Sequence, residues 1–181
     1  MARYRYRRRR YRRKGVWSCR IQNFTGAQSA AANEQYVIYY NLCQNPAQNE
    51  TSVSNKYTVK NINCQLQLES NASFAVENLQ AYVCFIPQGY VPTGVPSAYA
   101  EVPFNHPEWI MAHRFYGSAQ LDSETSSDGN PGFPALRLSS RLARKLDTGD
   151  RIVLIILGNN TGGSSVTLDY HGLVKYNTKA N

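Results

Sequence analysis

Nine of the chain's 20 lysine and arginine residues fall within its first fourteen positions, MARYRYRRRRYRRK: Arg3, Arg5, Arg7, Arg8, Arg9, Arg10, Arg12, Arg13 and Lys14. No acidic residue interrupts them. Guanidinium groups bind phosphate oxygens through charge and paired hydrogen bonds, so the chemistry of this stretch is polyanion binding. Tyr4, Tyr6 and Tyr11 are interleaved with the cations. Their rings either offer faces to unstacked bases or simply punctuate a basic tract. Self-repulsion predicts an arm without fixed structure until it meets a polyanion. Fully extended, the arm reaches roughly 45 Å.

The remainder of the chain is a different object. Of 181 residues and a net charge of +8, the arm accounts for +9, leaving 11 basic against 12 acidic residues and a body at −1. The division is therefore an arm over residues 1–14 and a single domain over residues 15–181, long enough to bury a substantial core. Its Tyr, Val, Asn, Thr and Gly content favours strands and turns. The longest apolar run, Ile152 to Leu157, is far short of the roughly 20 residues of a spanning helix. No apolar stretch follows the basic N-terminus, so a secretory signal is not expected. Cys19, Cys43, Cys64 and Cys84 are spaced unlike a metal site and sit in apolar runs, so they read as small reduced core residues.

Period-two alternation marks the strands. In Val16 to Phe24, Trp17, Cys19 and Ile21 share one face, while Ser18, Arg20 and Gln22 share the other. Gly26 to Asn33 reads as a loop and Gln35 to Cys43 as a strand apolar on both faces. Lys56 to Glu69 alternates most clearly, with Ile62, Cys64, Leu66 and Leu68 on the buried side. Further strands are predicted at Leu79 to Ile86, Glu108 to Tyr116, Ala135 to Leu138, Arg151 to Gly158 and Ser165 to Tyr176. Pro87 to Pro103 reads as a long ordered loop and Gly117 to Pro134 as an exposed one. In Ser139 to Asp150, Arg141, Arg144 and Lys145 fall at helical spacing. This predicts one amphipathic helical turn whose basic face meets nucleic acid, a neighbouring subunit or solvent. Asn159 to Ser164 reads as a hairpin turn. About eight strands with long loops define an all-β fold, an eight-stranded antiparallel jelly roll of two four-stranded sheets. An immunoglobulin-like sandwich is the competing architecture.

The arginine-and-tyrosine arm opening onto the first strand, the stretch His106 to Tyr116, the segment Ser140 to Asp150 feeding an apolar strand, and a final strand near the C-terminus together resemble the capsid proteins of small circular single-stranded DNA viruses, the Rep-encoding circovirus and cyclovirus group. The chain is shorter than is typical there, so family sites on surface loops do not carry over. The resemblance implies a viral jelly-roll subunit, self-assembly into an icosahedral shell of sixty copies with T=1 symmetry, and an arm facing the interior. It also implies packaging of a single-stranded DNA genome, with RNA as cargo in recombinant material. Nuclear import receptors would engage the arm as a localisation signal, and a host cell receptor would recognise the particle, placing the protein in the virion and the host nucleus.

In the body, Trp17, Arg20, Lys56 and Lys60 join the arm as candidate nucleic-acid contacts, with Trp17 and Arg20 on opposite strand faces. Trp17 is otherwise expected in the core. An enzyme is not expected: His106, His113 and His171 lack metal-ligand spacing, no nucleophile-elbow or phosphate-loop motif occurs, and no cofactor is implied. The competing functions are a cellular nucleic-acid-binding protein with a basic tail and the capsid protein of a satellite RNA virus. A chain beginning at Gly15 is expected to fold but to co-purify without nucleic acid, checked by the ratio of absorbance at 260 and 280 nm; equal nucleic-acid content in the truncated and full chains would remove the role assigned to the arm.

Overall fold

The computed structural model describes residues 16–45, 57–70, 76–90, 96–116 and 135–180. The arm, Lys56 and the excursion over residues 117–134 lie outside them. The strands are β1 (Ser18–Ala30), β2 (Gln35–Gln44), β3 (Tyr57–Ser70), β4 (Val76–Ile86), β5 (Ile110–Phe115), β6 (Leu136–Ser140), β7 (Arg144–Leu146), β8 (Arg151–Asn160) and β9 (Val166–Ala180), with one helix, α1 (Pro96–Asn105).

All pairings are antiparallel and form two sheets. One runs β1-β9-β3-β6, with β7 also pairing with β3; the other runs β2-β8-β4-β5. Because β6 and β7 occupy successive positions on the same edge of β3, the nine segments fill eight strand positions. Consecutive strands β1 to β4 alternate between the sheets, as do β8 and β9, which is the jelly-roll winding expected from the sequence. An immunoglobulin-like order is excluded.

Between the sheets lies the main core. The alternation in β3 is realised: Ile62, Cys64, Leu66 and Leu68 are all buried and meet Leu154, Ile156, Leu138 and Val174. A bulge between Lys60 and Asn63 changes the inward parity, so Val59 is also buried. Asn61 takes φ +53° there, a conformation asparagine tolerates better than most side chains.

A second, smaller core explains why β8 is apolar on both faces. Val153 and Ile155 point away from the first core and pack with Tyr82, Cys84, Ile86 and the fully buried Val102 of α1. Thus α1 lies over the outer face of the β2-β8-β4-β5 sheet. Pro87 to Pro103 is therefore not a loop throughout. Pro103 sits inside the helix, and proline disfavours a helix interior; the burial of Val102 and the His106 N–H bond to the Val102 carbonyl, 2.9 Å, secure the final turn. A 3-10 turn over Pro107–Trp109 then leads into β5.

Four other expectations are corrected. The stretch Gly26 to Ala30 is strand, paired with β9 throughout, because Gly26 faces Tyr170, whose ring fills the space a side chain would need. Ser139 to Asp150 contains no helical turn. Leu138 and Leu146 are buried under β3, and strand pairing separates Arg141, Arg144 and Lys145. Arg144 stacks over Phe85 and donates to the Glu108 carbonyl at 2.8 Å, which ties it to the 3-10 turn. Asn159 to Ser164 joins β8 to β9 across the two sheets, so it is a corner and not a hairpin. Cys19 is exposed, whereas Cys43, Cys64 and Cys84 are buried thiols.

That corner is held by Asn160, which is 1% exposed. Its Nδ2 donates to the carbonyls of Ala30, Ala31 and Ser164 at 2.8–3.0 Å, and its Oδ1 accepts from Gly162 N–H at 2.9 Å. One side chain thereby fastens the β8–β9 corner to the β1–β2 corner. Asn160→Ala strands these buried groups and is expected to lower stability by about 1–3 kcal/mol, measured as a shift in the urea midpoint. The buried thiols yield a second expectation. Burial pushes Cys64 and Cys84 up to about 12 from 9.0. A thiol reagent at neutral pH should titrate Cys19 alone in the native protein and all four cysteines in denaturant. Because the folded state holds these thiols neutral, their contribution is intact below about pH 9 and is lost as pH rises from about 9 to about 12.

Candidate nucleic-acid interface

With α1 over one sheet, the outer face of the β1-β9-β3-β6 sheet is the other broad surface of the sandwich. Its residues follow from alternation and register. The inward residues of β9 are Val166, Leu168 and Val174, so Asp169, His171, Lys175, Asn177 and Lys179 face outward. Across the sheet, Cys19, Asn177 and Lys60 form one row; Ile21, Lys175, Asn63 and Ser139 form the next; Asn23, Leu173, Gln65 and Arg137 a third. Beyond Lys60, Lys179 pairs with Thr58, which also pairs with Lys145. At the other end, Ala27, Asp169 and Glu69 share a row.

The charges on this face are segregated. Lys60, Lys145, Lys175, Lys179 and Arg137 occupy one end and the centre. The acids Glu69 and Asp169 stand at the opposite end, about 27 Å from the Lys60 row at about 3.4 Å per residue. A body at −1 thus carries a distinctly basic surface, which the net charge concealed. The other basic residues described have different placements. Arg114 donates to the Arg137 carbonyl at 3.2 Å, and Arg151 donates to Tyr39 Oη and the Tyr90 carbonyl at 3.3 and 3.2 Å. With Arg144, these arginines fasten the fold together.

Trp17 is not a core residue. It is 37% exposed, and the Lys60 ammonium sits 3.8 Å from its ring centroid. The structure therefore unites Trp17, which immediately precedes β1, with Lys60 of β3 at the basic end. Neighbouring Val16 and Ile21 are also exposed, so the half-buried face expected for Trp17, Cys19 and Ile21 is in fact the outer one. The inward residues of β1 are Phe24 and Ala30. The polar inward residues Arg20 and Gln22 fit because β1 is an edge strand, and there they line a cleft between the sheets. Arg20 accordingly stands apart from Trp17 and Lys60. Lys56 and the arm residues lie outside the described part of the chain. Val16, the first described residue, is two positions from Lys14, so the arm is tethered at the basic end of the face.

Sequence reasoning missed Arg137, Lys175 and Lys179, and it singled out Lys145 only as part of a helical face that does not form. The four are scattered over three strands, and only the β3–β6, β3–β7 and β3–β9 registers bring them together. In the sequence of β9, Val166, Leu168 and Val174 alternate with Asp169, His171 and Lys175, which signals that Lys175 faces outward but not that Lys60 lies in an adjacent row.

No protein family matches the chain, and no curated protein is similar to it. Among solved structures, it is similar to a chain of infectious bursal disease virus, Gx strain, at 11% identity and a TM-score of 0.31, covering 86% of this chain and 32% of that one. It is also similar to a chain of the human norovirus GI.7 Houston strain VLP in T=3 symmetry, at 9% identity and a TM-score of 0.25, covering 84% of this chain and 32% of the other. The chain spans about a third of each. Strand order, and not these distant likenesses, defines the architecture.

Phosphate contacts and base stacking leave different signatures. Each lysine removed from a single-strand contact should flatten the dependence of log affinity on log salt by about 0.7. Lys60→Ala with Lys175→Ala is therefore expected to reduce the slope by roughly 1.4. Trp17→Ala should cost about 1–3 kcal/mol of single-strand affinity with the slope unchanged. Fluorescence anisotropy of a labelled oligonucleotide across a salt series reads both effects.

Proposed function

We propose that the chain is a viral capsid protein that assembles into a closed icosahedral shell and packages a circular single-stranded DNA genome. The observation that carries this reading is continuity: a nine-cation arm joins a jelly-roll body at the basic end of its open sheet face. In a shell, that face and the arm turn toward the interior, and Arg3 to Lys14, Trp17 and Lys60 meet the genome. The α1-covered sheet turns the other way. With T=1 symmetry, sixty arms supply roughly 540 positive charges, enough to neutralise part of a genome of a few thousand nucleotides. The binding is largely independent of sequence. The same arm, free before assembly, engages nuclear import receptors, which places the protein in the host nucleus and then in the virion. Exposed Phe104, Phe115 and Leu142 are available to contacts between identical subunits.

A cellular nucleic-acid-binding protein with a basic tail is the second reading. The basic sheet face supports it as well, since such a protein needs cationic surface on its folded domain. The near-neutral body and the shell-forming winding favour the capsid. Negative-stain electron microscopy of the purified full chain distinguishes the two. Closed particles of uniform size, holding nucleic acid that resists nuclease until the particles are disrupted, are expected. A monomer bound to nuclease-sensitive nucleic acid would establish the alternative, and selective digestion of the released cargo by DNase or RNase separates DNA from RNA.

A further inference from the structure

The open edge of the sandwich holds a cleft that the outer face does not use. It lies between the edge strands β1 and β2, has a volume of about 430 Å³, and is lined by Arg20, Gln22, Asn41, Gln44, Tyr176 and Thr178 among others. This is within the usual size range for small-molecule sites. Its chemistry is specific. Arg20 contributes a permanent positive charge, and no acidic residue among those described lines the cleft. Asn41 Nδ2 donates to Gln44 Oε1 at 2.9 Å, while Asn41 Oδ1 is buried with no hydrogen-bond partner among the described residues. A buried acceptor left without a donor is costly, so an occupant that presents an N–H and draws the Asn41 side chain round toward the cleft is favoured. Tyr176 adds a ring and a hydroxyl; burial and the neighbouring Cys43 push its pKa up to about 12, so the phenol is neutral at physiological pH.

An occupant with a negative charge and a flat edge carrying N–H groups meets all of these demands, and a nucleotide is such a group. Position supplies the rest. Arg20 lines the cleft from the edge strand β1, and Trp17, just before that strand, lies on the outer face against Lys60, both close to where the arm joins. A strand lying on the outer face reaches the cleft by passing round the edge of β1. We propose that the cleft is a subsite for one unpaired nucleotide of the bound single strand, with Arg20 on a phosphate and the Asn41 side chain turning toward the cleft so that its Oδ1 accepts from the base edge. This rests on the reading of the outer face as nucleic-acid-binding. A duplex is disfavoured in the subsite because its bases are stacked and their Watson–Crick edges already paired.

Ultraviolet crosslinking of the full chain to a single-stranded DNA oligonucleotide, with adducts mapped by mass spectrometry, tests this. Adducts are expected on Tyr176 as well as on Trp17. Asn41→Ala should lower the Tyr176 adduct about tenfold and leave the Trp17 adduct unchanged. Arg20→Ala, at an exposed position, should have the same effect and serves if Asn41→Ala fails to fold. Adducts on Trp17 without Tyr176 would overturn the subsite alone, and adducts on neither would overturn the outer-face reading as well. Equal Tyr176 adducts with duplex DNA, or Tyr176 adducts unchanged in both variants, would also overturn the subsite.

Discussion

The packing of Val102 against Tyr82, Cys84, Ile86, Val153 and Ile155 sets the asymmetry on which the rest of the molecule depends. A two-sheet sandwich has two outer faces, and each must be wet, covered or partnered. Here α1 covers one of them with apolar contacts, which lets β8 be apolar on both sides. The other face is polar, and it is there that the body's lysines collect. Function follows from this division, because one side of the sandwich is closed by the fold and the other is left open to chemistry.

Charge is distributed by the same logic. Three arginines of the body, Arg114, Arg144 and Arg151, do structural work through directed hydrogen bonds to carbonyls and a hydroxyl. The lysines Lys60, Lys145, Lys175 and Lys179 stand on the open face, where a flexible point charge suits diffuse attraction to phosphate. Glu69 and Asp169 give the face a direction, since polyanion is favoured at the end where Val16 hands over to the arm. The cation–π contact of Lys60 with Trp17 marks that end with an aromatic ring positioned for stacking.

Much of the fold was legible because alternation is a local signal. The inward set of β3 and β9 and the doubly apolar β2 and β8 emerged as expected, and eight strand positions with long connections pointed to the jelly roll. What was not legible depended on partners distant in sequence. The apolar residues of β1 read as an inner face, although Trp17 and Ile21 point outward; nothing local reveals that β1 is an edge strand whose inward polar residues line a cleft. The helical spacing of Arg141, Arg144 and Lys145 was overridden by pairing with β3. Pro103 disguised α1, whose stability comes from burying Val102. The candidate site was half visible: Trp17 and Lys60 were singled out, but the other lysines become neighbours only through registers between strands far apart in the chain.

The central claim is that the open sheet face, continuous with the arm, is the surface that nucleic acid covers. Lysine footprinting of the full chain, with and without bound single-stranded DNA, tests it most directly. Lys60, Lys145, Lys175 and Lys179 are predicted to lose reactivity together on binding. Unchanged reactivity of these four residues, with protection confined to Lys14 in the arm, would contradict it.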